Sequence, residues 1–305
     1  MNDLLQTRSS VQGGVFTRTD ALECGYTDVG IRALVESGMC RRLARGVYGL
    51  PLPQPVNAEA RHRQRARGLL RRYAGRAAAS HHSALLLHGL PTYGVDLGRV
   101  HLTAQGRTHG STHPEFSIHR RVPWAEPVDV RGGLALPVAA ALAQTATLMG
   151  STTAIVAADA ALHREMLSVA DLRDAADRVL RWSGGREALV MARMADKRSE
   201  SVGESRLRLA FSALQIPVEP QFKVMDGDRV IARSDFRVKG TRLLIEFDGL
   251  VKYRGQDGAD AIVREKKRED QVRRLRWDFE RFVWDDLDNL PQIASRVWEG
   301  RRRAA

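Results

Sequence analysis

The clearest alternation of hydrophobic and polar positions lies at residues 234–249, where the pattern predicts two β-strands joined by a tight turn. On the second strand, apolar residues occupy one face, while Glu246 and Asp248 fall on the other. If Lys239–Gly240 is a two-residue turn, Asp235 on the first strand lies diagonal to Glu246. The pattern therefore predicts that the three acids share one face of a hairpin. A three-residue turn would move Asp235 to the opposite face.

Helical and strand patterns on both sides of this hairpin indicate a larger α/β unit. Upstream, Gly203–Leu214 has apolar residues at helical spacing, and Glu204 falls on the same stripe, which would point it towards the interior. Alternatively, Ser201 and Glu204 form a capping box, in which the Glu204 carboxylate only accepts a hydrogen bond from the cap amide. Downstream, a charged helix at Ala261–Arg276 precedes a strand at Trp277–Trp284. The predicted order is helix, strand, strand, helix, strand.

The first fifty residues show short helices followed by a basic hairpin. A helix at Thr19–Cys24 and a turn precede a second helix, Asp28–Ser37, for which Thr27 is a suitable N-cap. Cys40–Leu50 then alternates as two short strands. This order predicts a winged helix-turn-helix that ends at the proline-rich stretch 51–55.

Four arginines of this region are candidates for contacting DNA. Arg32 lies on the second helix, which takes the position of a recognition helix, and Arg41, Arg42 and Arg45 lie on the wing. A basic helix beside a basic wing suits entry of the helix into the major groove, with the wing contacting phosphates. A small helical unit of this kind could instead serve as a dimerisation or linker element.

The middle of the chain, residues 56–196, predicts an α/β connecting domain and little chemistry. Helical patterns lie near residues 137–149, 151–166 and 169–182. A further helix covers Ser80–Gly89. Its histidines could suggest a metal site, but His81 and His82 are adjacent and no acid lies at i+4 spacing. We therefore expect them to be polar caps and surface residues.

Composition favours a polyanionic partner and a soluble, cytoplasmic protein. The 305 residues carry a net charge of +12, and Arg61–Arg72 holds six arginines and no acid. However, 42 of the 48 basic residues are Arg, which a GC-rich coding bias would also produce. Cys24 and Cys40 are the only cysteines, which excludes a disulfide framework or a zinc ribbon. Polar residues interrupt the apolar stretch Ala135–Leu162, so buried helices are expected there in place of a membrane span.

The acids of the predicted hairpin are candidates for holding a divalent cation. Like charges on a half-buried face cost free energy unless a cation neutralises them. Oxygen ligands suit Mg²⁺ or Mn²⁺, and such an ion can activate water for phosphodiester hydrolysis. Asp248 or Glu204 could position or deprotonate that water, and Lys252 or Arg254 could interact with the scissile phosphate. The alternative is an edge hairpin that exposes its acids to water.

The C-terminal third resembles a known nuclease family. The residues that carry the resemblance are Gly203–Leu207, Ser234–Phe236, Ile245–Gly249, the stretch from Arg268 to Trp277, and Arg281–Phe282. They resemble the DUF559 domain, which is related to the very-short-patch-repair endonucleases of the PD-(D/E)XK superfamily. The resemblance implies a metal-dependent phosphodiesterase on an α/β core, with Asp235 and Glu246 as principal metal ligands and Glu204 as an auxiliary acid.

Two departures from that family bear on activity. Asp248 stands where the superfamily more often has Lys, the usual candidate for water activation. The family often has His shortly after the Asp-Gly pair, where this chain has Leu250–Tyr253, including Lys252. These departures favour a protein with a degenerate nuclease fold, whereas the presence of all four acids favours an active one.

The N-terminal residues resemble a second family. The matching stretches are Thr17–Arg18, Gly25–Thr27, Ile31–Val35, Gly38 and Arg42–Tyr48. They resemble the N-terminal domain of AbiEi-type antitoxins, which bind DNA as repressors. The histidine-containing helix of the middle region also resembles the segment that follows the winged helix in that family.

Three domains and one leading hypothesis follow. Residues 1–55 would form a winged helix-turn-helix, 56–196 an AbiEi-like connecting domain, and 197–305 a PD-(D/E)XK endonuclease-like domain with a mixed sheet. The leading hypothesis is a Mg²⁺- or Mn²⁺-dependent DNA endonuclease, with restriction or phage defence as an association. The rival is a non-enzymatic transcriptional regulator or antitoxin, and a partner toxin or methylase is left open. RNA cleavage is a weaker hypothesis, because the sequence has no paired aromatic residues that would indicate an RNA-stacking surface.

Overall fold

The computed structural model describes residues 1–106, 110–249, 266 and 268–304 and has a mixed α/β fold. Its contacts divide the chain into two compact units. The first unit comprises Met1–Ala157 and Glu165–Met194, and the second comprises Ala158–Arg164 and Ala195–Ala305. In the part of the chain that is described, no helix is long and apolar enough to cross a membrane.

The N-terminal part of the first unit contains the two helices and the following hairpin that the sequence predicts, together with one helix before them. Its elements are α1 Asp3–Val11, β1 Val15–Thr17, α2 Arg18–Glu23, α3 Asp28–Glu36, β2 Arg41–Ala44 and β3 Val47–Gly49. The strands form an antiparallel sheet in the order β1-β3-β2. Thr27 caps α3 as predicted, because its side chain accepts a hydrogen bond from the Gly30 amide at 3.2 Å. Helix α1 was not predicted, and it buries Leu5 against Phe16 and Ala21.

The rest of the first unit combines a six-stranded sheet with six helices. The helices are α4 Ala58–Arg72, α5 His81–Leu87, α6 Val138–Met149, α7 Ser151–His163, α8 Val169–Val179 and α9 Gly185–Met194. The strands are β4 Ala77–Ala79, β5 Val100–Ala104, β6 Ser111–Thr112, β7 Phe116–His119, β8 Val128–Val130 and β9 Gly133–Ala135. Their order in the sheet is β6-β7-β5-β4-β9-β8. The last residues of α7 belong to the second unit.

The histidines of α5 lie in the interior, which corrects the prediction that they are polar caps and surface residues. His81 and His82 are 5% and 0% exposed. The prediction failed because it considered only spacing within one helix. The rings instead contact His101 and His119 on strands β5 and β7, which lie far away in the sequence.

The second unit is a four-stranded mixed sheet between helices. Its elements are α10 Val202–Ala213, β10 Val218–Asp226, β11 Arg229–Val238, β12 Leu243–Phe247, helical residues 268–274 (α11), β13 Asp278–Phe282, a 3₁₀ turn at Trp284–Asp288 and α12 Leu290–Arg303. The order is β10-β11-β12-β13, and only the β12–β13 pair is parallel. The order predicted from sequence is therefore found, with β10 as an additional strand. The predicted start of the helix at Ala261 lies outside the described residues.

The residues of β12 alternate between two faces as predicted, and each face packs into a separate core. Leu243 and Ile245 pack with Phe211 of α10 and Val297 of α12 on one face. Leu244 packs with Val272 of α11 on the other face. The sheet is thus covered on both sides, which agrees with an almost continuous apolar run in β12.

The connection between β11 and β12 differs from the predicted two-residue turn. The strands pair Phe236 with Ile245 and Arg237 with Leu244, so four residues, 239–242, connect them. This register differs from the predicted one by two residues. A shift of two keeps every side chain on its face, because strand faces alternate with a period of two. Continued one step, the pairing puts Asp235 opposite Glu246 in place of the predicted diagonal.

Candidate functional sites

A cleft lined by arginines lies in the N-terminal part of the first unit. It has a volume of about 630 Å³ and takes residues from the hairpin β2–β3, from α2 and from the C-terminal end of α4. We call it the arginine cleft; its arginines are Arg18, Arg42, Arg45, Arg71 and Arg72. The structure therefore brings the basic run on α4 next to the predicted wing, a proximity that the sequence alone did not reveal.

Contacts within the arginine cleft hold some guanidinium groups and leave others exposed. Arg72 donates to the backbone carbonyl of Arg45, which links α4 to the tip of the hairpin. Arg18 makes two hydrogen bonds of 2.6 Å to the Asp28 carboxylate at the start of α3. Arg42 and Arg45 are exposed on the hairpin. These two side chains are available to contact an anion.

Asp20 is a buried acid at the base of the arginine cleft. It is 2% exposed, and its carboxylate accepts hydrogen bonds from Thr17 and, at 2.9 Å, from Arg71. Burial would raise the pKa of Asp20, but these hydrogen bonds outweigh burial and lower the pKa to about 2. The ionised Asp20 therefore anchors α4 against the start of α2.

The other two predicted DNA-contacting arginines have different surroundings. Arg32 is exposed on α3, the helix predicted to enter the groove. Arg41 is half-buried, and its Nη2 donates to the side chain of Gln64 on α4 at 3.1 Å. The backbone carbonyls of Gly14 and Leu50 accept hydrogen bonds from the same Gln64 amide. Arg41 thus braces the hairpin against α4, whereas Arg32, Arg42 and Arg45 present exposed side chains.

In the second unit, Asp235 lies where the backbone pairing between β11 and β12 ends. Beyond the Phe236–Ile245 pair, side chains replace backbone hydrogen bonds between the strands. Ser234 Oγ donates to the Ile245 carbonyl at 2.9 Å, and Asp235 Oδ2 accepts from the Phe247 amide at 2.7 Å. The half-buried carboxylate of Asp235 is therefore fixed by the backbone of the neighbouring strand.

Electrostatics couples Asp235 to the other predicted acids. Burial, together with the nearby charges of Glu204 and Glu246, raises the pKa of Asp235 to about 6, although the hydrogen bond from the Phe247 amide acts in the opposite direction. A carboxyl group in this state is poised to exchange its proton near neutral pH. Three of the predicted acids thus influence one another.

Glu204 is buried at the start of α10, and its contacts combine features of the two predicted alternatives. Its amide donates to Ser201 Oγ at 3.1 Å, which is one half of a capping box. Its carboxylate, however, accepts from the amide of Glu200 and from the side chain of Gln221 on β10, at 3.0 and 2.9 Å. Glu204 therefore links the helix start to the sheet.

Gln221 is a site residue that the sequence did not reveal. It has a left-handed backbone conformation with φ of 54° at an interruption of the β10–β11 pairing, which leaves out Gln221 and Asp235. Its side-chain oxygen is buried and has no hydrogen-bond partner among the residues that the structure describes. No sequence signal indicates this, because the conformation arises from the strand pairing. A buried carbonyl oxygen without a partner is suited to accept a hydrogen bond or to bind a cation.

Glu246 is neutralised by arginines. Its two oxygens lie 2.8 Å from Arg268 Nη2 and 3.3 Å from Arg281 Nε. Arg281 lies opposite Glu246 in the β12–β13 ladder. A metal ion at Glu246 would have to displace these guanidinium groups.

The remaining predicted residues of this site are Asp248 and Lys252. Asp248 is half-buried directly after β12, and its amide donates to the carbonyl of Phe282 at 2.8 Å. Lys252 lies outside the described residues. The described acids do not bring three ligand atoms within 4.8 Å of one another. The site therefore has suitable oxygen donors in Asp235, Glu204 and Gln221. Binding of an ion requires these oxygens to move closer to one another.

The N-terminal residues of the chain match the model of a known family. No curated protein matches the sequence of the chain. Residues 3–51, which contain α1 to β3 and the hairpin arginines of the arginine cleft, match the family described as "Transcriptional regulator, AbiEi antitoxin".

Proposed function

We propose that the chain binds duplex DNA through its N-terminal residues, as a transcriptional regulator of the AbiEi antitoxin kind. The observation that carries this proposal is the family match over residues 3–51, which coincides with three helices and a basic hairpin. In this arrangement α3 would enter the major groove with Arg32, and the hairpin would lie along the backbone. A partner toxin belongs to the same proposal.

The arginine cleft supplies the phosphate contacts in this proposal. Arg42 and Arg45 are exposed on the hairpin, and Arg71 and Arg72 extend the basic surface from α4. Guanidinium groups pair with phosphate through two parallel hydrogen bonds, and each such contact releases counterions from the DNA. Affinity should therefore fall steeply as the salt concentration rises.

Fluorescence anisotropy with a duplex from the protein's own promoter tests DNA binding. Arg42→Ala/Arg45→Ala should weaken binding and reduce the slope of log affinity against log salt by about 2, one per lost phosphate contact. Arg173→Ala removes an exposed arginine of α8 outside the cleft and serves as the control. Binding that persists in EDTA fits a regulator. An unchanged salt slope in the double variant would contradict the proposal.

As a second candidate function, we propose that the second unit cleaves phosphodiester bonds with Mg²⁺ or Mn²⁺. It is supported by the coupling of Asp235 with Glu204 and Glu246, by the unpartnered Gln221 oxygen and by the resemblance to DUF559 endonucleases. Asp235, Glu204 and Gln221 would hold the ion, with Glu246 joining once Arg268 and Arg281 turn to the DNA. The bound ion would polarise the phosphate and lower the pKa of a water.

Each of the other residues of the site would have its own role in catalysis. Asp235 is held by the Phe247 amide, so its orientation is set before any ion binds. Asp248 would position the attacking water, and Lys252 would approach the scissile phosphate. Arg268 and Arg281, once released from Glu246, would neutralise the charge that develops on the phosphate.

A nicking assay on supercoiled and linear DNA with Mg²⁺ or Mn²⁺ tests this second function. Asp235→Ala and Glu246→Ala should each abolish cleavage, whereas Asp226→Ala, at the far end of β10, should not. Isothermal titration with Mn²⁺ adds a readout that does not need activity, since Asp235→Ala should weaken binding. Equal cleavage by the wild type and both variants, or none in any across varied DNA, would leave only the regulator.

A further inference from the structure

The interior of the first unit contains a cluster of five histidines. His62 comes from α4, His81 and His82 from α5, His101 from β5 and His119 from β7. Neighbouring rings have their centroids 4.2–5.2 Å apart. Such a concentration of imidazoles is unusual for an apolar core, because each ring brings two nitrogen atoms that need partners.

Three of these histidines converge. Ligand nitrogens of His81, His101 and His119 all lie within 4.8 Å of one another, and in the described residues this is the one group of three or more His, Cys, Asp or Glu that does so. His101 Nδ1 and His119 Nε2 lie 2.8 Å apart. We propose that these three histidines form a binding site for one divalent transition-metal ion, with Zn²⁺ as the ion that fits best.

The fold itself directs these rings to a common point. Strands β5 and β7 are parallel neighbours, and His101 pairs with Ser117, so His119 lies two residues further along on the same face. His81, the first residue of α5, has a left-handed backbone with φ of 50°. This conformation costs a non-glycine residue of order 1–3 kcal/mol, and such strain concentrates where a side chain must be held for binding.

The hydrogen bonds of the rings leave nitrogens for a metal. His81 Nδ1 lies 3.0 Å from Ser80 Oγ, which fixes the ring and leaves its other nitrogen to bind the ion. His101 Nδ1 faces His119 Nε2, so these two nitrogens are the ligand atoms, while His101 Nε2 on the other side of the ring is buried with no hydrogen-bond partner among the described residues. Burial lowers the pKa of His101 to about 3 and that of His81 well below its usual value, which keeps both in the neutral form that metals bind.

The donor set and the surroundings select the kind of ion. Imidazole nitrogen suits zinc, copper, nickel or iron, and three histidines with one open position form a known type of zinc site. Zn–N bonds of about 2.0–2.1 Å separate tetrahedral ligands by about 3.4 Å. The His101–His119 nitrogens, at 2.8 Å, need to move apart by only about 0.6 Å.

One side of the site is open. His81 and His119 line a cleft of about 520 Å³, together with Arg120, Arg121 and Gln144. A water or a small anion from this cleft can complete the coordination of the ion. The two arginines favour an anionic fourth ligand.

The test is a calorimetric titration of the tag-free, EDTA-treated full chain with Zn²⁺. We expect one equivalent to bind, and His101→Ala or His119→Ala to weaken binding at least about 100-fold, more than the loss of a residue outside the coordination sphere. Co²⁺ absorption gives a second readout, because a tetrahedral nitrogen site produces intense visible bands that these variants should lose.

Three control variants distinguish this site from metal binding elsewhere in the chain. His82→Leu changes a buried ring of the same helix outside the group of three, and His163→Ala removes an exposed histidine; both should retain the affinity. Asp235→Ala should retain it too, which distinguishes zinc at the histidines from a cation at the acids. Circular dichroism without zinc identifies variants that fail to fold. If an alanine variant does not fold, His119→Gln, a milder change at a half-buried position, is used in its place. Absence of stoichiometric binding by the wild type, or unchanged affinity in a variant with His81, His101 and His119 all replaced by alanine, overturns the proposal.

Discussion

Asp235 is a half-buried acid whose ionisation works against folding. Its carboxylate accepts a hydrogen bond from the Phe247 amide at 2.7 Å, and the charges of Glu204 and Glu246 lie close to it. Glu246 has two arginine partners, so the unfavourable charge in this cluster is concentrated on Asp235. The cost is relieved when Asp235 binds a proton or a cation.

The raised pKa of Asp235 predicts a pH dependence of stability. The pKa rises from 3.8 in the unfolded chain to about 6 in the folded one, so folding takes up a proton between these values. Below about pH 4 this group contributes about 3 kcal/mol to the stability of the folded chain. That contribution is lost as the pH rises through 6. Asp235→Asn should therefore raise the free energy of unfolding by 1–3 kcal/mol at pH 8 (about the size of that penalty) and hardly at all at pH 4. Urea unfolding at both pH values measures this; an equal effect at both would contradict it.

The pair of Asp159 and Arg208 gives a second prediction at this scale. Asp159 is fully buried, and its carboxylate accepts hydrogen bonds of 2.7 Å from Arg208 and from the amide of Asp196. Arg208→Met leaves a buried carboxylate without its cation and should lower the free energy of unfolding by about 3–5 kcal/mol.

A matched variant controls for the loss of an ion pair in general. Arg233 pairs with the carboxylate of Glu200 at the surface, with 53% and 33% of the side chains exposed. Arg233→Met should cost less than about 1 kcal/mol, because water and salt screen the pair. Similar losses in the two variants would show that burial of Asp159 is not the cause.

At the scale of elements, the start of α10 fits closely against β12. A Cβ atom at Gly203 would overlap the ring of Phe247, which itself packs edge-on against Trp284 with ring centroids 5.1 Å apart. Glycine at 203 therefore lets the helix approach the strand, and this approach brings Glu204 towards the sheet.

Gly203→Ala should destabilise the protein by about 1–3 kcal/mol, the usual cost of forcing extra atoms into a packed core. The additional change Phe247→Leu should recover part of the loss, because the smaller side chain makes room for the methyl group. Gly106→Ala, where an added Cβ meets open space, is the control. Thermal denaturation measures all three, and a destabilised double variant with no recovery would contradict the packing argument.

The elements themselves were largely predictable from the sequence, but their partners were not. Alternation in β12 and helical spacing in α10 depend on neighbouring residues, so they identified two strands, a helix and the shared face of Asp235 and Glu246. The four-residue connection, the pairing of Glu246 with Arg268 and Arg281, and the unusual backbone of Gln221 depend on contacts between distant residues. His81 illustrates this most clearly, since its neighbours His101 and His119 are 20 and 38 residues away.

At the scale of the whole molecule, the chain has two units with separate cores. The core clusters of the second unit contain only its own residues, from Leu207 to Val297. The net charge of +12 is carried by both units, so an anionic partner can contact either. Proposed DNA binding and the proposed zinc site belong to the first unit, and the proposed cation site belongs to the second.

Separate cores predict separate unfolding transitions in calorimetry. Leu69→Ala, which empties a fully buried position in α4, should lower only the transition of the first unit, by about 2–5 kcal/mol of stability. Gly203→Ala should lower only the other transition. A single transition that both variants shift equally would mean that the units unfold together.

The hydrogen bond from the Phe247 amide to Asp235 has a spectroscopic consequence. A backbone proton that elsewhere in a sheet would meet a carbonyl here meets a group that titrates near pH 6. The ¹⁵N–¹H resonance of Phe247 should therefore move as the carboxyl gains its proton, while amides bonded to carbonyls in the same ladder stay in place. Added magnesium at pH 8 would move the same resonance only if the ion reaches the carboxylate, so one NMR signal reports occupancy without any DNA present.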